Sequence, residues 1–362
     1  MPCGCSWRNA EPATTYGDGM QVILSDDHRA HFPSGELFEG GLVRPFECPE
    51  RWDHVVAALD VAGFEDRYGP EPVDLDRVVR VHDPAYVDFL RTFWEDWTAS
   101  GHTGDAIPTM FPVRGLRHDR VPLEPDGRLG YFALAAETAI TAGTWQAASA
   151  AAAIAQTGQR LVAEGSPVAF GLCRPPGHHA SSDQFVGYCF LNNAAIAAEG
   201  FLVDGADRVA VLDIDFHHGN GTQSIFWERA DVLFTSLHGH PADAFPYFLG
   251  YEDETGAGPG EGHTANYPMR PGTGFDEWGT ALGDACRRIL AHRPDALVVS
   301  LGVDTFEGDP ISFFRLATTD YLEVGRRIGA LGLPTLYVME GGYAVAEIGT
   351  NTVNVLSGHL GA

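Results

Sequence analysis

Five stretches of this chain place polar, chemistry-capable side chains directly after a run of strand-forming residues. The run VAFGL (168–172) leads into CRPPGHHA, which carries His178 and His179. VAVLDI (209–214) runs into DIDFHHGNGTQ, with Asp213, Asp215, His217, His218 and Asn220. VLFTSL (232–237) closes on Ser236 and His238; ALVVSL (296–301) is followed by GVDTFEGDP, with Asp304 and Asp309; TLYVM (335–339) is followed by EGGY, with Tyr343. Imidazole, carboxylate and phenol are the groups of metal ligation, proton transfer and oxyanion stabilisation. Chance puts one or two such groups after strands, rarely five in a row.

Asp215 and His217 alternate with Ile214 and Phe216, so they face the same side of an extended chain. Asp304 adds a third ligand from another strand end. One imidazole and two carboxylates hold Zn²⁺ with a coordination place open for water and substrate, and the same set accepts Fe²⁺ or Co²⁺. Taken alone, Asp215 and His217 also fit a structural ion pair, a reading that weakens once Asp304 joins them. His178 and His179 follow a rigid Pro-Pro-Gly and read as acid–base groups, each needing an acceptor on its other ring nitrogen. Asp213 and Asn220 are the available acceptors, and the pairs assigned are His178 with Asp213 and His179 with Asn220. A charged Asp makes its His more basic than a neutral Asn does. His179 is then the general base and later acid, and His178 the electrostatic support. Tyr343, after Gly341 and Gly342, is the candidate oxyanion donor; its plainer alternative is a packed core tyrosine.

The elements that must position these groups follow from the same runs. QVILS (21–25) and the five runs above are β-branched with little polar alternation, as in strands buried on both faces. Helical stretches are expected at 132–163, 191–204, 277–292 and 319–331. The alternation predicts an α/β fold, a mostly parallel central sheet flanked by helices on both faces, with the ligand crevice beyond the carboxyl ends of the strands. Residues 101–130 and 239–275, rich in Gly and Pro, interrupt the rhythm and read as functional loops. Residues 1–19 read as a flexible extension, and 20–362 as a single domain.

The formal net charge is −26, from 23 Lys+Arg against 49 Asp+Glu. Such a surface repels nucleic acid and anionic membranes and attracts cations. The bland account of this acidity, solubility or a salty habitat, remains open. The six cysteines, at 3, 5, 48, 173, 189 and 286, show no paired C-x-x-C spacing. That pattern fits a reducing cytoplasm, and neither a signal peptide nor a membrane span is read from the sequence.

The strings RPPGHHA (174–180), GYCFLNNAAIAA (187–198), DIDFHHGNGTQ (213–223), SLGVDTFEGDPISFF (300–314) and VMEGGY (338–343) resemble the arginase/histone-deacetylase fold, and within it the bacterial acetylpolyamine amidohydrolases. FPVR (111–114) and DAFPYFLGYEDETG (243–256) extend the likeness, which runs from about Met20 to the end. The resemblance implies a zinc-dependent deacetylation of acetylated polyamines (acetylputrescine, acetylcadaverine, acetylspermidine), with zinc at Asp215, His217 and Asp304. It implies catalysis by His178, His179 and Tyr343. It also implies structural potassium at Asp213, Ser236 and Leu237, with a second site along Phe226, Arg229 and Val232. Tyr188 and Phe245 would line an aromatic tunnel. The 101–130 insertion would form a homodimer that narrows the mouth, where Glu36, Asp126 and Glu137 would select a distal ammonium. Asp126 departs from the Glu of the family, with a shorter reach. Three other readings share parts of the pattern: a protein lysine deacetylase with an open mouth, a binuclear manganese ureohydrolase, and a non-catalytic acetyl-amine binder.

Overall fold

The computed structural model describes residues 19–361, so the expected extension at 1–19 lies, but for Gly19, outside the described residues. Ten strands are present among them. They are β1 (Gln21–Ile23), β2 (Glu36–Phe38), β3 (Gly41–Val43), β4 (Arg67–Tyr68), β5 (Val168–Gly171), β6 (Val209–Asp213), β7 (Val232–Gly239), β8 (Thr264–Met269), β9 (Ala296–Leu301) and β10 (Thr335–Met339). Ten α-helices accompany them: α1 (Glu50–Ala62), α2 (Leu75–Val78), α3 (Pro84–Ala99), α4 (Pro125–Tyr131), α5 (Thr144–Ala163), α6 (Asn193–Val203), α7 (Asn220–Phe226), α8 (Phe275–His292), α9 (Asp320–Gly329) and α10 (Ile348–Leu360).

Eight strands form one sheet in the order β4-β1-β5-β10-β9-β6-β7-β8. Every pairing in it is parallel, while β2 and β3 make a separate antiparallel hairpin. Strand side chains alternate between two cores. Val209, Val211, Val298, Leu336 and Val338 pack into one with α3, α5 and α6. Ala210, Leu212, Val299, Tyr337 and Met339 pack into the other with α1, α8, α9 and α10. Helices therefore cover both faces, which is why the strands read as unbroken apolar runs. The order also sets β5, β10, β9, β6 and β7 side by side, so the five polar strand ends are neighbours.

Two expectations change. The helix expected at 132–163 begins only at Thr144. Upstream, Ala133 bridges Phe185 and Ile140 bridges Ala106, so tertiary pairing overrides the helix-forming alanines there. The region 239–275 contains a strand, β8, although Pro268 lies within it. Because β8 is at the sheet's edge, a residue lacking an N–H is tolerated.

Candidate active site

Beyond β6 the chain folds back on itself through its own acids. Asp213 Oδ1 accepts from Asp215 N (3.1 Å), and Asp215 Oδ1 accepts from His217 N (2.8 Å). Asp304, after β9, accepts from Phe216 N (2.7 Å). His217 Nδ1 lies 3.0 Å from Asp304 Oδ2 and 3.3 Å from Asp215 Oδ1. Ligand atoms of Asp215, His217 and Asp304 all fall within 4.8 Å of one another, and all three residues are buried. The surroundings leave no room for a larger neighbour: a Cβ on Gly341 would come 2.5 Å from both carboxylates, and one on Gly302 would come 2.1 Å from Asp215 Oδ2.

The electrostatics of this trio call for a cation. Burial works against ionisation of Asp215, but His178 and His217 hold its pKa far below the usual carboxylate range. Burial, with the Asp215 charge added, pushes Asp304 up to about 8. Burial alone would lower His217, yet its bonds to the two carboxylates raise it to about 9. Two buried carboxylates and an imidazole converging this closely fit a divalent ion with a free coordination place.

The two histidines after β5 take the acceptors assigned to them. His178 Nδ1 lies 2.9 Å from Asp213 Oδ2, and His179 Nδ1 lies 2.6 Å from Asn220 Oδ1. Asn220 Nδ2 donates to the His179 carbonyl (3.2 Å), which fixes the amide's orientation. Burial opposes a charge on His178, but Asp213 and Asp215 raise its pKa to about 10. Burial and the neighbouring His178 and His217 hold His179 well below the usual value. One imidazole is therefore cationic and its neighbour neutral, with ring centroids 4.1 Å apart.

Tyr343 is almost fully buried, and burial keeps its phenol protonated as a donor. Three groups place it. Asp309 Oδ2 accepts from Tyr343 N (2.7 Å). Arg51, from α1, donates Nε to Gly342 O (2.7 Å) and Nη2 to Glu340 O (2.5 Å), and its guanidinium lies 5.0 Å from the Tyr343 ring centroid. Glu340, buried after β10, accepts from Gly177 N (2.6 Å) and His178 N (3.2 Å), which ties the histidine loop to the tyrosine loop. Asp309 was legible only as a polar group near a strand end; Arg51 and Glu340 carried no local signal. Glu340 also approaches His178 and Cys189 closely enough to count as a metal-capable group, but those backbone bonds engage its carboxylate.

A cavity of about 500 Å³ leads to this floor, with His179, His217 and Tyr343 in its lining. Phe245 stands edge-on to His179 at 5.2 Å, and Tyr188 faces Tyr343 at 5.7 Å. Glu36 and Glu137 line the same cavity. Tyr188 Oη donates to Glu36 Oε1 (3.1 Å), and Gly187 N donates to Glu137 Oε1 (3.0 Å). Burial raises Glu36 to about 7. Asp126 is not brought to this cavity: it is exposed on α4, whose buried residues are Pro125, Leu129 and Gly130. Asp213 and Ser236 are paired across β6 and β7, with Leu237 next in line. Phe226 and Val232 flank the α7–β7 junction; the Phe226 carbonyl accepts from Arg229 N (3.0 Å), while the Arg229 guanidinium is held by Asp231 and Glu199.

A histone deacetylase domain model matches residues 45–359, and the chain belongs to that family. Its relatives make the class narrower. The chain is 55% identical over 342 residues to an acetylpolyamine amidohydrolase of Mycoplana ramosa, covering 94% of this chain and 100% of the relative. It is 54% identical to acetylpolyamine amidohydrolase 1 of Pseudomonas aeruginosa, covering 95% and 99%. The crystal structure of an acetylpolyamine aminohydrolase from Burkholderia pseudomallei superposes with a TM-score of 0.89 at 36% identity, covering 94% and 98%. The protein is accordingly a deacetylase, a hydrolase of linear amide C–N bonds on the arginase/deacetylase fold.

Proposed function

We propose that this protein is a zinc-dependent amidohydrolase of acetylated polyamines, such as acetylputrescine, acetylcadaverine and acetylspermidine, releasing acetate and the free amine. The observation that carries the reading is one cavity that reaches His217 of the buried Asp215–His217–Asp304 group and is walled by aromatic rings and the carboxyls of Glu36 and Glu137. Aromatic faces and carboxylates both suit a cationic methylene chain.

Asp215, His217 and Asp304 would hold the zinc. When bound, it supplies Lewis acidity toward the amide carbonyl and toward water. The chain's own groups then divide the work. Neutral His179, with Nδ1 donating to Asn220, takes the proton of the attacking water at Nε2. Tyr343 Oη donates to the carbonyl oxygen as it gains negative charge. His178, cationic against Asp213, stabilises that charge from beside His179. The proton held by His179 goes to the leaving nitrogen as the C–N bond breaks. Phe245 and Tyr188 wall the channel for the methylene chain behind the amide.

The same reading places structural potassium at Asp213, Ser236 and Leu237 and along Phe226, Arg229 and Val232. It also covers the exposed Met110, Val113 and Leu116 of the insertion with a second copy of the chain, bringing Asp126 to a shared mouth. A cytoplasmic setting agrees with the free thiols of Cys48, Cys173, Cys189 and Cys286. Among the described residues, no helix is long and apolar enough to cross a membrane.

The test is a kcat/KM panel over acetylated diamines, acetylspermidine and acetyl-lysine peptides, with metal content measured before and after chelation. We expect one zinc per chain, loss of activity on chelation with return on zinc addition, and a preference for the acetylated polyamines. A higher kcat/KM on the peptides would select the broader lysine deacetylase instead.

A further inference from the structure

His238 is one polar strand-end residue that the catalytic assignment leaves without work. It is fully buried at the end of β7, with a serine hydroxyl and a peptide carbonyl, and no carboxylate, at its two ring nitrogens. Its Nδ1 lies 2.8 Å from Ser236 Oγ and its Nε2 lies 2.8 Å from the carbonyl oxygen of Gly250. A carbonyl only accepts, so Nε2 carries the hydrogen and Nδ1 accepts from the serine hydroxyl. The tautomer is thus set by the strand on one side and a distant peptide on the other.

Gly250 is gripped from its other side as well. Its N–H donates to both oxygens of Glu254 (3.0 and 2.9 Å), which also accept from Tyr251 N (3.1 Å) and Gln223 Nε2 (2.6 Å). Gln223 is itself fixed, since its Oε1 accepts from Asn266 Nδ2 (2.8 Å) and lies 3.0 Å from His218 Nε2. Gly250 has φ +100, and a Cβ there would lie 2.8 Å from the His218 ring and 2.9 Å from His238 Nε2. Only glycine fits that backbone in that space. The segment on either side has no regular structure and exposes Phe248. Five residues before the gripped peptide stands Phe245, the tunnel wall edge-on to His179.

We propose that His238 and Glu254 are positioning residues that clamp the Gly250 peptide from opposite sides and thereby hold Phe245 as the wall for the substrate's methylene chain. The proposal rests on the tunnel reading given under the function above. A loop without helix or strand depends on anchors of this kind; beside the nearer bonds of Ala244 N to His240 O and Tyr247 N to Ala244 O (both 3.0 Å), His238 ties the far side of the segment to the rigid end of β7. The clamp acts on chain recognition and leaves the chemistry at the floor alone, because neither residue touches the reacting atoms.

Two competitive hydroxamates separate these effects on the zinc-loaded enzyme: acetohydroxamate, which has no chain, and a hydroxamate bearing an aminoalkyl chain. We expect His238→Ala and Glu254→Ala each to weaken the long hydroxamate by about 10-fold, and to raise KM for an acetylated diamine similarly, while acetohydroxamate changes by less than about 3-fold. His238→Gln, which returns an N–H at the same reach, is expected to recover most of the loss. Should His238→Ala fail to fold, Glu254→Ala tests the clamp from the loop side. Equal weakening of both hydroxamates, or no change in either, would overturn the proposal. If the wild type prefers neither the long hydroxamate nor the acetylated diamine, it is the tunnel reading that fails, before any variant is considered.

Discussion

The floor and the mouth of this cavity are built on different principles. At the floor, the imidazoles, carboxylates and phenol sit just beyond strand ends, almost fully buried, with the carboxylates and the Nδ1 atoms of the imidazoles committed to named partners. Asp213 bonds both Asp215 N and His178, and Asp304 bonds both Phe216 N and His217. At the mouth, the hairpin β2–β3 and the segment carrying Phe245 line the cavity, with Phe248 exposed. Chemistry demands placement to a fraction of an ångström and a low dielectric, which the ends of a parallel sheet supply. Selection among amines needs only charge and width, which loops adjust without disturbing the sheet.

Substitutions test how separate the two regions are. The largest effect is expected at the floor: Tyr343→Phe removes an oxyanion donor and should cut kcat by about 10²–10³-fold with KM little changed. A loss confined to KM in steady-state kinetics would move Tyr343 from the chemistry to the mouth. An intermediate effect is expected at Glu36. Glu36→Gln should lower kcat/KM for an acetylated diamine by about 10-fold while leaving a neutral N-acetylalkylamine untouched.

Glu36 also carries a pH signature. Because burial holds it at about 7, it loses its charge as pH falls through neutrality, and kcat/KM for the cationic substrate should fall with it. Glu36→Gln should remove that limb. The sign for folding is the reverse. An acid raised from 4.5 to about 7 favours the fold when protonated, and that contribution is lost as pH rises through about 7. Melting temperature against pH for wild type and Glu36→Gln would show it as a difference. The smallest effect on the single chain is expected at Leu123, which is 95% exposed. Leu123→Ser should change the stability of the single chain by no more than about 0.5 kcal/mol, yet shift a dimer toward monomer in light scattering. If the variant's mass stays unchanged, Leu123 lies outside any dimer contact.

Much of the floor was legible before any coordinates. The run DIDFHHGN supplies Asp215 and His217, although β6 ends at Asp213 and the carboxylate-to-backbone bonds beyond it, not strand alternation, bring the two together; adjacent histidines beside one Asp and one Asn suggest two protonation states. The mouth was much less legible. No local pattern marks Glu36 and Glu137, which only the resemblance singles out, and Asp126 is not in the lining of the cavity. The helices expected at 191–204, 277–292 and 319–331 form close to those positions, as α6, α8 and α9. By contrast, the alanines of 133–136 favoured a helix that the pairing of Ala133 with Phe185 forbids.

Composition, motif and periodicity alone determined the parallel sheet, the helices over both its faces and the types of the groups proposed to bind metal and move protons. These are local properties, set by backbone geometry and by which side chains leave water. The tertiary structure decided what joins the strand ends into a working site. Arg51 reaches Gly342 across 291 residues of chain, Glu340 ties two catalytic loops together, and His238 and Glu254 close on a single peptide. No local pattern encodes such partners, because each arises only when the sheet order makes neighbours of segments far apart in the chain.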